Sequence, residues 1–322
     1  MTVAALQALP TARGPVSEAV LEALTGGRLT TSLPVPADPF GEDLQLALHL
    51  LYELHYRALP GVDDDLEWDP DLLRLRARLE APFLAALRAA TSGSDDVEAA
   101  LAPLLLEPVR GTGPSWHLSS EAGTLEQLRE YATHRSVYHL READPQAFVV
   151  GRLEGQAKAA VVTVQHDEYG AGRVERMHAT LFADLLAELG VDDVPLDRAP
   201  ATTIALTNAM SLFALHRSLR GAAFGQFVLV EVTSSPGSRR LSAAFARHGV
   251  QAGVRFYDEH VEADAVHEQL LRAGLRDLLE REPHLAADVV LGIEAGLLLE
   301  ERFGAALLDA WERGDSSLRQ HS

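Results

Sequence analysis

The chain has no cysteine among its 322 residues. Disulfides, thiolate-held iron–sulfur clusters and zinc ribbons are excluded, so any metal must be held by nitrogen and oxygen. Lysine is nearly absent as well: Lys158 is the only one, and 28 basic residues face 47 acidic ones for a formal charge of −19. Phosphate recognition needs clustered positive charge, so nucleic acid is not an expected partner. Alternating runs of Val, Ile and Thr are scarce, which argues against a sheet. Every long apolar run is broken by charge, and Met1 to Pro10 show no basic stretch followed by an apolar one. No membrane partner is expected, and the expected compartment is the cytoplasm.

What remains is a chain with 47% hydrophobic residues and a mean hydropathy of −0.01, enough apolar surface for a substantial core in a soluble, globular protein. Leu, Ala, Glu and Arg dominate, and apolar residues recur at spacings of three and four. The spacing predicts an all-α protein. Helices are expected over residues 16–24, 42–59 and 69–90, and then in succession from about residue 124. Breaks are expected near Pro145, Gly170 to Gly172, residues 192–200, Pro236 with Gly237, and Pro283. The run from Glu107 to Trp116 has no period and two prolines, which makes it the best internal boundary. It divides a helical N-terminal region, residues 1–120, from a helical core, residues 121–322. The stretch Phe227-Val-Leu-Val-Glu-Val-Thr-Ser234 is rich in β-branched residues, yet its helical surroundings favour a buried helix. Glu231 inside it then requires a cation, because a carboxylate is not buried unpaired.

The most informative residues are His260, Asp264 and His267, at offsets of four and seven. On a helix these side chains point within roughly 60° of one another, an arrangement suited to two imidazoles and a carboxylate converging on a metal. Helical bundles build two-metal carboxylate sites by projecting Glu, Asp and His inward from facing helices. Glu231 is a candidate for a bridging carboxylate. A further contribution lies in Asp167-Glu-Tyr-Gly-Ala-Gly-Arg-Val-Glu-Arg-Met-His178. Glu168 and His178 are ten apart, which on an unbroken helix leaves them about 80° out of register, a mismatch that Gly170 and Gly172 can relieve. Glu175-Arg-Met-His178 is itself a Glu-x-x-His, so spacing alone leaves Glu168 and Glu175 as alternatives.

The order Asp-Glu-Tyr-Gly-x-Gly, Glu-Arg-Met-His, a lone Glu in an apolar helix, and Phe-Tyr-x-x-His-x3-Asp-x2-His resembles the haem-oxygenase-like diiron oxidases and oxygenases, the iron-containing redox enzymes. The resemblance runs from about Tyr131 to Trp311. It implies a haem-oxygenase-like multi-helix bundle without haem, in which three histidines and three carboxylates bind two irons: Glu168, His178, Glu231, His260, Asp264 and His267. Glu168 is thereby favoured over Glu175, which stays a candidate for an outer role. Some members add a carboxylate from an earlier core helix, and Glu142 stands in that place. The implied activity is O2-dependent oxidation of a small molecule of the amine, amino acid or fatty acid type through a peroxo-diferric intermediate. An external electron donor is then required, and a homodimer fits the apolar N-terminal helices.

Other readings use other residues. A haem protein would draft His134 or His139 as axial ligand and the spacing of Gly221 and Gly225 as a flexible helix over the porphyrin. His49, Glu53 and His55 also have metal-like spacing, read here as polar groups at the edge of the core. Arg217, Arg220 and Arg255 are candidates for clamping a substrate carboxylate. A non-catalytic iron-binding or partner-binding protein, or a metal-free thiaminase-like or cofactorless oxidase, would share the scaffold.

Overall fold

The computed structural model of the chain describes residues 9–30, 33–107, 111–191 and 196–320, the side chains of Asp264 and Ala265 excepted. Among these residues there are thirteen α-helices and no strands, so the expected all-α class holds. The first five are α1 (Pro15–Leu24), α2 (Glu42–Glu53), α3 (Pro70–Ala89), α4 (Val97–Leu101) and α5 (Pro114–Ser119). The next five are α6 (Leu125–His139), α7 (Asp144–Val150), α8 (Gly155–Glu168), α9 (His178–Glu188) and α10 (Ala201–Leu215). The long ones close the chain: α11 (Arg220–Arg247), α12 (Gln251–Arg281) and α13 (Ala286–Glu312).

Local chemistry sets several of the boundaries. Asp69 caps α3 by accepting from the backbone N–H of Asp71 and Leu72, with Pro70 at the first helical position. Thr124 and Gln127 form a reciprocal capping box at the start of α6. The helix expected over residues 42–59 stops at Glu53, and Ala58 takes a left-handed conformation with φ 58°. The break expected at Pro236 does not occur, because α11 runs through it without interruption. Proline removes one backbone hydrogen bond. Here α11 is flanked by both α12 and α13, and that packing outweighs the loss.

The bundle centres on α11, which packs against α12 on one side and α13 on the other, while α8 and α9 lie on α12. Contact between α11 and α13 is backbone to backbone: a Cβ at Gly225 would sit 2.1 Å from the carbonyl oxygen of Val289. The N-terminal helices join the same mass, with α2 on α10, α4 on α13 and α5 on α11. One apolar core runs from Val16 to Leu307.

Candidate metal centre

Glu168 is the last residue of α8 and His178 the first of α9. Between them Gly170, Ala171 and Gly172 all have positive φ, at 68°, 51° and 78°. Three left-handed residues in succession end the helix outright rather than bulging it. The chain folds back, and His178 Nδ1 comes within 2.7 Å of Glu168 Oε2. The mismatch of register is thus removed by a full break. Glu175, the alternative from spacing, is exposed in the short turn Val174–Arg176 and lies in neither convergent group of described side chains.

Glu231 on α11 and His267 on α12 meet with Nδ1 3.1 Å from Oε2. The other ring nitrogen of His267 faces Asp167 Oδ2 at 3.2 Å. His260, seven residues earlier on the same helix, donates from Nδ1 to the carbonyl oxygen of Phe256 at 2.8 Å, which turns Nε2 toward Glu142 Oε1 at 3.5 Å. Both imidazoles are therefore fixed in rotation by a partner on the far nitrogen. Asp264 lies between them in α12, and its side chain is outside the described residues.

Glu142 is buried in the elbow between α6 and α7, where Ala143 has φ 70°. His139 Nδ1 lies 2.8 Å from its Oε1, and His178 Nδ1 lies 3.9 Å from its Oε2.

The side chains thus form two adjoining groups. Glu142, Glu168, His178 and His260 make one, and Glu168, Glu231 and His267 make the other, with the facing atoms of each group within 4.8 Å of one another. Glu168 belongs to both: Oε2 faces His178, and Oε1 lies 3.7 Å from His267 Nδ1. Glu142 Oε2, Glu168 Oε2 and His178 Nδ1 are buried without a hydrogen-bond partner among the described residues. Close polar atoms that fail to align with each other, yet converge, are what ligands around a shared cation look like.

Electrostatics leads to the same place. Burial pushes Glu231 above the usual carboxylate range, and Glu168 beside it adds to the shift. Burial would also raise Glu142, but His139 and His260 outweigh it and hold the acid well below its ordinary value. Burial would lower His267, yet the hydrogen bond and charge of Glu231, with Glu168 behind, push it up to about 9. His178 is raised in the same way, with Glu168 overcoming desolvation. Three carboxylates held in an apolar interior recruit positive charge. Metal cations can supply it, and the donor set of imidazole nitrogen and carboxylate oxygen fits iron.

Residues 129–301 match the family model described as iron-containing redox enzyme, just over half of the chain. The chain belongs to the iron-containing redox enzymes. The all-α architecture of the described residues fits the haem-oxygenase-like bundle of that family. A comparison with curated proteins found no match.

In this iron-containing redox enzyme a cavity of about 790 Å3 opens onto the centre, with Glu142, Glu168, Glu231 and His260 in its wall. Phe256 and Tyr257 line it beside the histidines. The Tyr257 hydroxyl is buried and has no hydrogen-bond partner among the described residues. The arginines in the wall are Arg135 and Arg240, not Arg217, Arg220 or Arg255. Arg135 donates twice to Glu300, at 2.8 and 2.7 Å, and lies over the ring of Phe303. Arg220 is instead taken up by Glu282.

The remaining candidates have other partners. His134 bonds to Thr203 and Ser317, and Gly225 lies against α13. His49 and Glu53 are 3.7 Å apart, Glu53 pairs with Arg141, and His55 pairs with Glu67. Two residues outside the expected ligand set join the geometry: Asp167 at the far nitrogen of His267, and His139 beside Glu142. Their signals were present: Asp167 adjoins Glu168, and His139 precedes Glu142 by three positions.

Proposed function

We propose that the chain is a non-haem diiron enzyme, an O2-dependent oxidase or oxygenase of a small molecule. One observation carries this reading: the two oxygens of Glu168 face different groups of ligands, as a carboxylate bridging two metals would. Glu142, Glu168, His178 and His260 would hold one iron. Glu168, Glu231 and His267 would hold the other, together with Asp264, which is included from its place on α12 and the family resemblance. Two Fe(II) ions in such a set would supply O2 binding and reduction.

The protein's own contribution is placement. Phe256 and Asp167 fix His260 and His267 so that one nitrogen of each points inward. The phenols of Tyr138 and Tyr257 are pushed well above their ordinary range by burial, so they stay protonated beside the carboxylates and can donate to a bound substrate. The cavity volume suits a small organic molecule, here proposed as an amine, amino acid or fatty acid, with electrons from an external donor. Residues 1–120 are proposed to cap the core, gate the cavity or form a homodimer contact. Iron is favoured by the family, and manganese would fit the same ligands.

Anaerobic reconstitution with Fe(II) tests the proposal. The expected result is about two irons per chain and a transient visible absorption on mixing with O2. Less than one iron bound per chain would overturn it.

A further inference from the structure

We infer that the end of α2, Glu53 with Tyr56 and Arg57, is the clamp that positions Glu142 for metal binding. The inference rests on the diiron reading above. Glu142 has no helix to hold it: α6 ends at His139, α7 begins at Asp144, and the elbow between them includes Ala143 at φ 70°. That conformation is unfavourable for alanine and persists only where surrounding contacts impose it.

Those contacts come largely from one place. Arg57 donates to the carbonyl oxygen of Leu140 at 2.9 Å. Glu53 pairs with Arg141, the residue directly before Glu142. The Arg141 guanidinium also lies over the Tyr56 ring at 4.8 Å, and that ring packs edge-on against Phe148 of α7 at 5.5 Å. The segment thus grips both sides of the elbow. Gln165 of α8 completes the grip by donating to the carbonyl oxygen of Ala143 at 2.8 Å.

Residues 53–57 lie outside the segment matched to the family, residues 129–301. The N-terminal region is therefore part of the centre's construction: without the clamp the elbow relaxes, and Glu142 withdraws while Glu231 and His267 stay. Among the described residues Glu53 pairs with His49 and Arg141, and Arg57 donates to Leu140, none of them a proposed ligand. Glu53 and Arg57 are positioning residues, acting through Arg141 and Leu140.

The test compares metal binding by the full-length parent with Arg57→Ala, Glu53→Gln and Glu142→Gln. Mn(II) titration followed by electron paramagnetic resonance serves as the probe, with thermal unfolding measured alongside. Arg57 is exposed, so its alanine variant should unfold like the parent. Both clamp variants should lose affinity at one of the two positions by about 10- to 100-fold, as outer partners of ligands typically do. Their spectra at partial loading should match those of Glu142→Gln, and Arg57→Lys should restore binding. Parent-like affinities in both clamp variants would overturn the inference. So would equal weakening at both positions, which reports general loosening. If Glu53→Gln fails to fold, Arg57→Ala decides alone. A parent chain that binds no ion contradicts the diiron reading itself, and this inference with it.

Discussion

Glu168 Oε2 and His178 Nδ1 lie 2.7 Å apart although their residues are separated by ten positions and a complete interruption of the helix. The contact leaves Oε1 of the same carboxylate for His267 on α12. Glu168 thus belongs to both groups of candidate ligands, whereas Glu231 belongs to only one. Glu168→Gln should therefore weaken both metal positions, and Glu231→Gln chiefly one. Iron counted per chain after gel filtration checks this. Equal retention of iron by the two variants would contradict the shared role of Glu168.

Gly170 makes the turn that brings His178 back. Its φ is 68°, and a Cβ there would stand 2.6 Å from the backbone nitrogen of Met177, the residue before His178. Gly172 has φ 78° but open space around it. Each change to alanine should cost about 1–3 kcal/mol of stability from backbone strain. Only Gly170→Ala should also displace His178 and lower iron affinity. Chemical denaturation and iron titration of the two variants separate the effects.

These two examples show why part of the centre could be read in the sequence and part could not. His260 and His267 share a helix face, so periodicity alone places them together. Glu231 could be found because a carboxylate in an apolar run has a desolvation cost that demands a partner. Glu168 and Glu175 could not be told apart by spacing, since the choice depends on three left-handed residues whose path no periodic rule describes. The continuation of α11 through Pro236 was hidden for a related reason: packing from α12 and α13 decides it, and that packing is not local. Arg135 and Asp167 carry no periodic signal, because Arg135 acts from the cavity wall and Asp167 from the far side of His267.

Close contact of α11 with α13 is the most demanding packing in the core. A Cβ at Gly225 or Gly292 would lie 2.1 or 2.0 Å from a backbone carbonyl oxygen of the other helix, an atom that cannot swing aside. Gly225→Ala and Gly292→Ala should each destabilise the protein by about 3 kcal/mol, because overpacking must be relieved by moving a whole helix. Urea midpoints measure this. A loss below about 1 kcal/mol would show that the helices separate more easily than the packing implies.

Buried His134 supplies a pH dependence away from the metal centre. Desolvation lowers it from an ordinary 6.5 to about 3, so the folded protein holds it neutral between Thr203 and Ser317. The unfolded chain takes up that proton first as pH falls. The stability associated with neutral His134 is therefore whole above pH 6.5 and is lost progressively as pH drops toward 3. Against His134→Gln, which cannot titrate, the parent's advantage should shrink by about 1.5 kcal/mol between pH 6.5 and 5. Parallel stability curves for the two proteins would contradict the assignment.

Whether two irons share Glu168 can be decided by anomalous diffraction at the iron edge from crystals loaded with Fe(II) without oxygen. Two peaks are expected, one beside each oxygen of Glu168, the first also next to His178 and His260 and the second next to Glu231 and His267. A single peak, or iron bound away from Glu168, would contradict that sharing.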